Sequence, residues 1–231
     1  MAVIIRIDVD RPYGKGPLVR HLLSRCGSDL YFPRVPAFGY LRELDQMLRM
    51  LGEHDARAYV FFRRCSLPNE RLREVLDRGR HEIGLHLENS RSFETFQAER
   101  RNLENYIGQS VSSFSKHGSG GEKYGLRHYA PYEPDRYVEW AQKDDMRVFF
   151  GNLEDPTIEP RSTGRFSWFP SAFWLEPGWR DQQKFSVDWL LRRGKETDIV
   201  LLVHPENVFE DSELTADFRK IVSTLESKIL S

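Results

Sequence analysis

Met1-Ala-Val-Ile-Ile-Arg-Ile-Asp-Val-Asp10 is a short apolar, β-branched run that closes on two carboxylates. A run of this kind reads as a buried strand. Asp8 and Asp10 stand at i and i+2, so on a strand they point to one face. Like charges on one face need a cation between them or a shared proton. A metal ion, a cationic substrate or an acid–base pair each meets that need. The plain alternative is that both are solvated residues just past the strand.

Outward from this stretch the chain alternates short apolar runs with amphipathic segments, the pattern of α/β architecture. Val3 to Ile7, Ala58 to Phe62, His81 to Leu87, Val111 to Ser115, Met146 to Phe150 and Ile199 to Val203 read as strands, and Arg165 to Leu175 holds one more. Helical spacing or boundary residues mark Tyr40 to Leu51, Asn69 to Arg78, Ser92 to Ile107, Asp135 to Gln142, Phe185 to Arg193 and Leu214 to Ile229. Arg11 to Pro36, rich in Gly, Pro and Arg, reads as a long irregular loop of functional length, a candidate lid that is poorly ordered without ligand. Six or seven such units predict a single-domain (β/α) barrel over residues 1–231, incomplete or deformed, with six to seven parallel strands.

Composition narrows the function. Lys and Arg total 34 against 35 Asp and Glu, a formal charge of -1, which gives no electrostatic footprint for nucleic acid. Cys26 and Cys65 lack CxxC spacing and read as free thiols of a reducing compartment. No run is long and apolar enough for a membrane span, and no secretory leader is visible, so the expected location is cytoplasmic.

Catalytic side chains of β/α barrels gather at the C-terminal ends of the strands. Asp8 and Asp10, His86, Lys116 and His117, and His204 end four separate strands there. His81 lies five residues before His86, roughly 17 Å along a strand, so it belongs to the opposite end, where it packs or hydrogen-bonds.

The motifs carry a resemblance. Asp8-Val-Asp10, Gly79-Arg-His-Glu-Ile-Gly-Leu-His86 and Val200-Leu-Leu-Val-His204-Pro, together with the strand Ala58-Tyr-Val-Phe-Phe62, resemble in order and spacing the polysaccharide deacetylase family, the NodB-homology or family-4 carbohydrate esterases. The resemblance implies a deformed barrel, a divalent metal with zinc the expected ion, and hydrolysis of an N-acyl group from a sugar. It makes Asp8 the general base, Asp10 and His86 metal ligands, and His204 the general acid. Surface-polysaccharide or lipopolysaccharide precursor synthesis is the setting it implies, with acetyl and formyl groups equally open.

The chain departs from that family twice. The position four residues after His86 is Ser90, and a hydroxyl is a poor zinc ligand. His117, at the end of the neighbouring strand, is the preferred replacement, and Glu88 the other. The family's Arg-x-x-Pro-Tyr segment is replaced by Ser115-Lys-His-Gly-Ser-Gly-Gly121. There Lys116 and Gly118 become candidate substrate-binding residues. With Lys123 and Arg127 nearby, the glycines could cradle a phosphate, giving a phosphate- or nucleotide-linked sugar as the possible substrate. Phe166 to Trp174 reads as core, Trp179 as exposed on a loop, and Asp188-Trp189 receives no role. Two rival readings stand beside the deacylase: a sugar-binding or assembly protein that lost its metal, and an allantoinase-like hydrolase of cyclic ureides.

Overall fold

The computed structural model describes residues 2–15, 18–31, 34–178 and 185–230. Trp179 lies outside them. Nine strands form one sheet in the order β6-β7-β5-β4-β3-β2-β1-β9-β8. They are β1 Val3–Val9, β2 Ala58–Phe62, β3 Glu82–Leu87, β4 Ser113–Lys116, β5 Val148–Leu153, β6 Arg161–Thr163, β7 Phe166–Ser171, β8 Phe173–Trp174 and β9 Ile199–Val203. All neighbours pair in parallel except β6 with β7. The strands beyond the six or seven expected are the short β6 and the two-residue β8, too brief to leave a periodic signal.

The strand β1 is interior to the sheet, bonded to β2 through Asp8↔Phe61 and to β9 through Ile7↔Val203, and all seven of its residues are buried. Burial on both faces explains why it shows an apolar run without alternation. Val3, Ile5, Ile7 and Val9 pack in the main core with the helices. Ile4 turns the other way, into an inner cluster with Tyr59, Phe61, Phe150, Val200 and Leu202. Period two therefore sends Arg6, Asp8 and Asp10 up the same inner column. Gly84 on β3 gives the inner cluster room: a Cβ there would lie 2.2 Å from Phe61 Cε1.

Among the described residues the longer helices are α1 Leu18–Leu30, α2 Arg42–Glu53, α3 Glu70–Arg78, α4 Phe93–Ile107, α5 Pro134–Lys143, α6 Val187–Arg193 and, after a four-residue turn, α8 Ser212–Thr224; the turn, Pro205–Val208, is α7. Ser92 caps α4 by accepting from Thr95 N–H, and Asn69 caps α3 through Leu72 N–H.

Two expectations change. The segment Arg11 to Pro36 is not an irregular loop, because α1 fills its middle. Its apolar residues Leu18, Val19 and Leu22 face solvent, so the usual core-facing stripe is missing from the sequence. The last helix stops at Thr224, after which Ser227 bridges to Val3 and Lys228 N–H bonds the Val3 carbonyl. His81 lies at the base as expected, accepting from Ala58 N–H at 3.1 Å.

Candidate metal centre

Four strand ends meet at the top of the inner column. Asp10 follows β1, His86 is the inward residue near the end of β3, and His117 follows β4 in register beside it, since Leu87 pairs with Lys116. His86 Nε2 lies 2.9 Å and His117 Nδ1 3.0 Å from Asp10 Oδ1, and the two nitrogens are 3.2 Å apart. Asp10 Oδ1 is nevertheless buried without an aligned hydrogen bond. Three lone-pair atoms thus crowd one point. Nitrogen and oxygen donors sharing one zinc-sized ion sit roughly 3 to 3.5 Å apart. The donor chemistry and the orphaned oxygen both fit a divalent cation.

Two hydrogen bonds orient His86. His86 Nδ1 and Ser115 Oγ are 2.7 Å apart, and Ser115 in turn donates to Asp8 Oδ1 at 3.4 Å. With the hydroxyl committed to Asp8, His86 Nδ1 carries the proton and Nε2 presents a lone pair. Burial, reinforced by the Arg63 charge, pushes His117 well below the usual histidine range and keeps it neutral.

Asp8 is clamped. Arg6 donates from Nε to Oδ1 at 3.0 Å and from Nη2 to Oδ2 at 2.6 Å, both side chains fully buried. Nη2 also reaches Asn152 Oδ1 at 2.8 Å, and Nη1 donates to the Gly151 carbonyl at 2.6 Å. Burial works to raise the Asp8 carboxyl, but the Arg6 guanidinium outweighs it and holds it below its ordinary value. Asp8 Oδ2 lies 3.7 Å from His86 Nε2, just beneath the three donors.

His204 follows β9 and stands across the centre, with Nε2 3.4 Å from Asp10 Oδ2 and Nδ1 2.5 Å from Glu176 Oε1. Burial favours the neutral ring; Glu176 and Asp10 overcome it and raise His204 well above its ordinary value. Glu176 also accepts from His204 N–H and from the Asn207 side chain.

The alternative ligand Glu88 is engaged elsewhere, in a buried pair with Arg63 at 2.5 Å. Arg63 Nη1 donates to the Asp10 carbonyl, tying that pair to the centre. Ser90 is buried against the Tyr137 hydroxyl at 3.1 Å. Lys116 is fully buried, its amine bound to the His117 carbonyl and 3.1 Å from His128 Nε2, and burial pushes it down to about 8. Gly118 turns the chain at φ +76°, where a Cβ would press on Tyr124 and His128, and Asn152 Nδ2 donates to its carbonyl. A cavity of about 660 Å³ opens above these groups, bordered by Asp8, Asp10, His86, His117, Gly118 and His204. That is a volume suited to a small-molecule ligand.

Among solved structures the chain is similar to a candidate glycoside hydrolase/deacetylase from Parabacteroides distasonis, at 10% identity and TM-score 0.54, over 96% of this chain and 66% of that one. The fold is the deacetylase-type barrel. The chain spans 66% of the length of that relative. More distant likenesses are a Streptococcus mutans CE4 esterase (12% identity, 96% and 80% covered, TM-score 0.49) and a peptidoglycan N-acetylglucosamine deacetylase catalytic domain from Eubacterium rectale (10%, 99% and 93%, 0.43). No protein-family model and no curated protein matches the sequence.

Within this deacetylase-type barrel the structure brings Asp8, Asp10, His86, His117 and His204 together. Arg6, Glu176, Arg63 and Asn152 were not singled out in the sequence. Period two from Asp8 could have found Arg6, since both belong to one inward column. Glu176 sits in the turn after β8 and carries no local signal.

Proposed function

We propose that this chain, as a single domain, is a divalent-metal-dependent hydrolase that removes an N-acyl group, acetyl or formyl, from an amino sugar. The observation that carries the reading is the convergence of Asp10, His86 and His117 beside a clamped carboxylate and a histidine bound to Glu176. The setting we assign, from the family resemblance, is precursor synthesis for surface polysaccharide or lipopolysaccharide in the cytoplasm, with zinc as the ion. Among the described residues no helix is long and apolar enough to cross a membrane.

Asp10, His86 and His117 would hold the metal. When bound, a divalent ion polarises the acyl carbonyl and acidifies adjacent water. Asp8, kept ionised by Arg6, accepts a proton from the attacking water as its oxygen bonds to the acyl carbon. His204, protonated under the influence of Glu176, delivers a proton to the amine as the C–N bond breaks. The products are a free amino sugar and a carboxylate, with the water's atoms accounted for.

The reading that the metal was lost rested on Ser90. Its support weakens with a second imidazole, His117 from the end of β4, standing in the cluster beside Asp10 and His86. Calorimetric titration of Zn²⁺ or Co²⁺ into metal-stripped protein is the test. One tight site, absent from Asp10→Ala, is expected, followed by acyl release from N-acetyl or N-formyl amino sugars and none from cyclic ureides. A parent protein without a tight site overturns the proposal.

A further inference from the structure

The cavity above the centre carries more positive charge than its own acids balance. Three of its cations are spent: Arg6 on Asp8, Arg63 on Glu88, and Lys116 on a backbone carbonyl and His128. Arg11, Arg25 and Lys123 border the same cavity, and none makes a side-chain hydrogen bond or ion pair with another described residue. Asp29 is the one further acid on this lining, and its Oδ1 already accepts from Leu126 N–H at 3.0 Å.

These three cations come from three separate parts of the chain: the segment after β1, helix α1 and the loop after β4. All are exposed, whereas Asp8, His86 and His117 are buried. The cavity is therefore graded in depth, with proton-transfer and ligating groups on the floor and uncompensated cations at the mouth. Like charges focused on one opening repel each other unless an anion arrives. Two guanidinium forks and an ammonium match the geometry and charge of phosphate oxygens.

We infer that the mouth holds a phosphoryl group of the substrate, cradled by Arg11, Arg25 and Lys123, while the acyl group reaches the floor. The inference rests on the deacylase reading for the identity of the floor chemistry. It moves the anion site away from the glycine turn. There Lys116 is buried, and Arg127 stacks 4.9 Å from the Tyr31 ring, bordering a different cavity.

The test pairs binding with turnover. Calorimetry with inorganic pyrophosphate is run on the protein as purified and on an Arg25→Glu/Lys123→Glu double variant whose circular dichroism matches the parent. The affinity is expected to fall about tenfold or more in the variant. Pyrophosphate held by a metal would survive the double substitution, so equal binding by both proteins, or none by the parent, overturns the inference. In parallel, kcat/KM is compared for N-acetylglucosamine 1-phosphate and N-acetylglucosamine, and the ratio is expected to drop at least tenfold in the variant. A variant that loses pyrophosphate binding while neither protein hydrolyses either sugar sinks the deacylase reading and leaves the anion site standing. Sedimentation with phosphatidylglycerol vesicles separates the sources of phosphate. Charge-dependent vesicle binding without pyrophosphate binding would assign the cations to a lipid headgroup and overturn a substrate role.

Discussion

At the scale of single residues, Asp8 shows how a buried charge is kept. Its carboxylate is buried, and Arg6 two residues earlier neutralises it from the same inward column. Removing one member of a buried pair leaves the other uncompensated, at a cost of about 3–5 kcal/mol. Arg6→Met should therefore lower unfolding stability by about that amount in urea titrations. Glu176 acts on His204 in the same electrostatic way. In its proposed role of general acid His204 must be protonated, so activity is expected to fall as pH rises through its pKa, which burial lowers and Glu176 raises. Glu176→Gln should reduce turnover roughly 10–100-fold and move the alkaline limb of the pH–rate profile to lower pH. A rate loss with the limb unmoved would make Glu176 merely structural. Asp8 and Asp10 were legible from their i, i+2 spacing. Glu176 was not, because its meeting with His204 spans 28 residues, with a helix and strand β9 between them.

At the scale of elements, the centre depends on parallel register. Strands β3 and β4 pair so that His86 lies opposite Ser115, which places His117 one step above and beside His86. An imidazole from the end of β4 thus stands against both His86 and Asp10. Calorimetric zinc titration should find tight binding lost in His117→Ala and retained in Ser90→Ala. The reverse result would remove β4 from the centre. Packing inside the sheet is equally constrained by Gly84, whose added Cβ would meet both Phe61 and Ser113. Gly84→Ala should cost about 1–3 kcal/mol of stability through overpacking, read as a lower denaturation midpoint. The β-branched run Ile199–Val203 marked its strand to the residue, whereas β1 continues two residues past the expected Ile7, to Val9. Helix α1 was not, since Leu18, Val19 and Leu22 point to solvent and give no core-facing stripe.

At the scale of the whole molecule, the two ends of the barrel divide labour. The lower end is structural, and His81 there gives it a pH signature. Burial, then the Arg57 charge, pushes His81 down to about 4, with its Nδ1 lone pair accepting from Ala58 N–H. The unfolded histidine takes up a proton near pH 6.5, while the folded one resists until about 4. The unfolded state therefore binds more protons in that window, and stability falls as pH drops through it, by at most roughly 3 kcal/mol from this group. His128, pushed down to about 4 by burial and Lys116, adds to the same trend. Urea unfolding at pH about 7 and about 4.5 should show this loss, and His81→Gln should make it smaller. An unchanged difference would mean that His81 is free to protonate in the fold. The upper end holds the proposed centre, and there the sequence and the tertiary structure contribute differently. The sequence alone determined a parallel α/β sheet and which strand ends bear Asp8, Asp10, His86, His117 and His204, because period two and strand polarity are local properties of the chain. Only the tertiary structure decided that His117 rather than Glu88 faces Asp10, that Arg6 clamps Asp8 and that Glu176 meets His204. Those choices follow from register and from the closing curvature of the sheet, which bring residues distant in the chain within a few ångströms and appear in no local pattern.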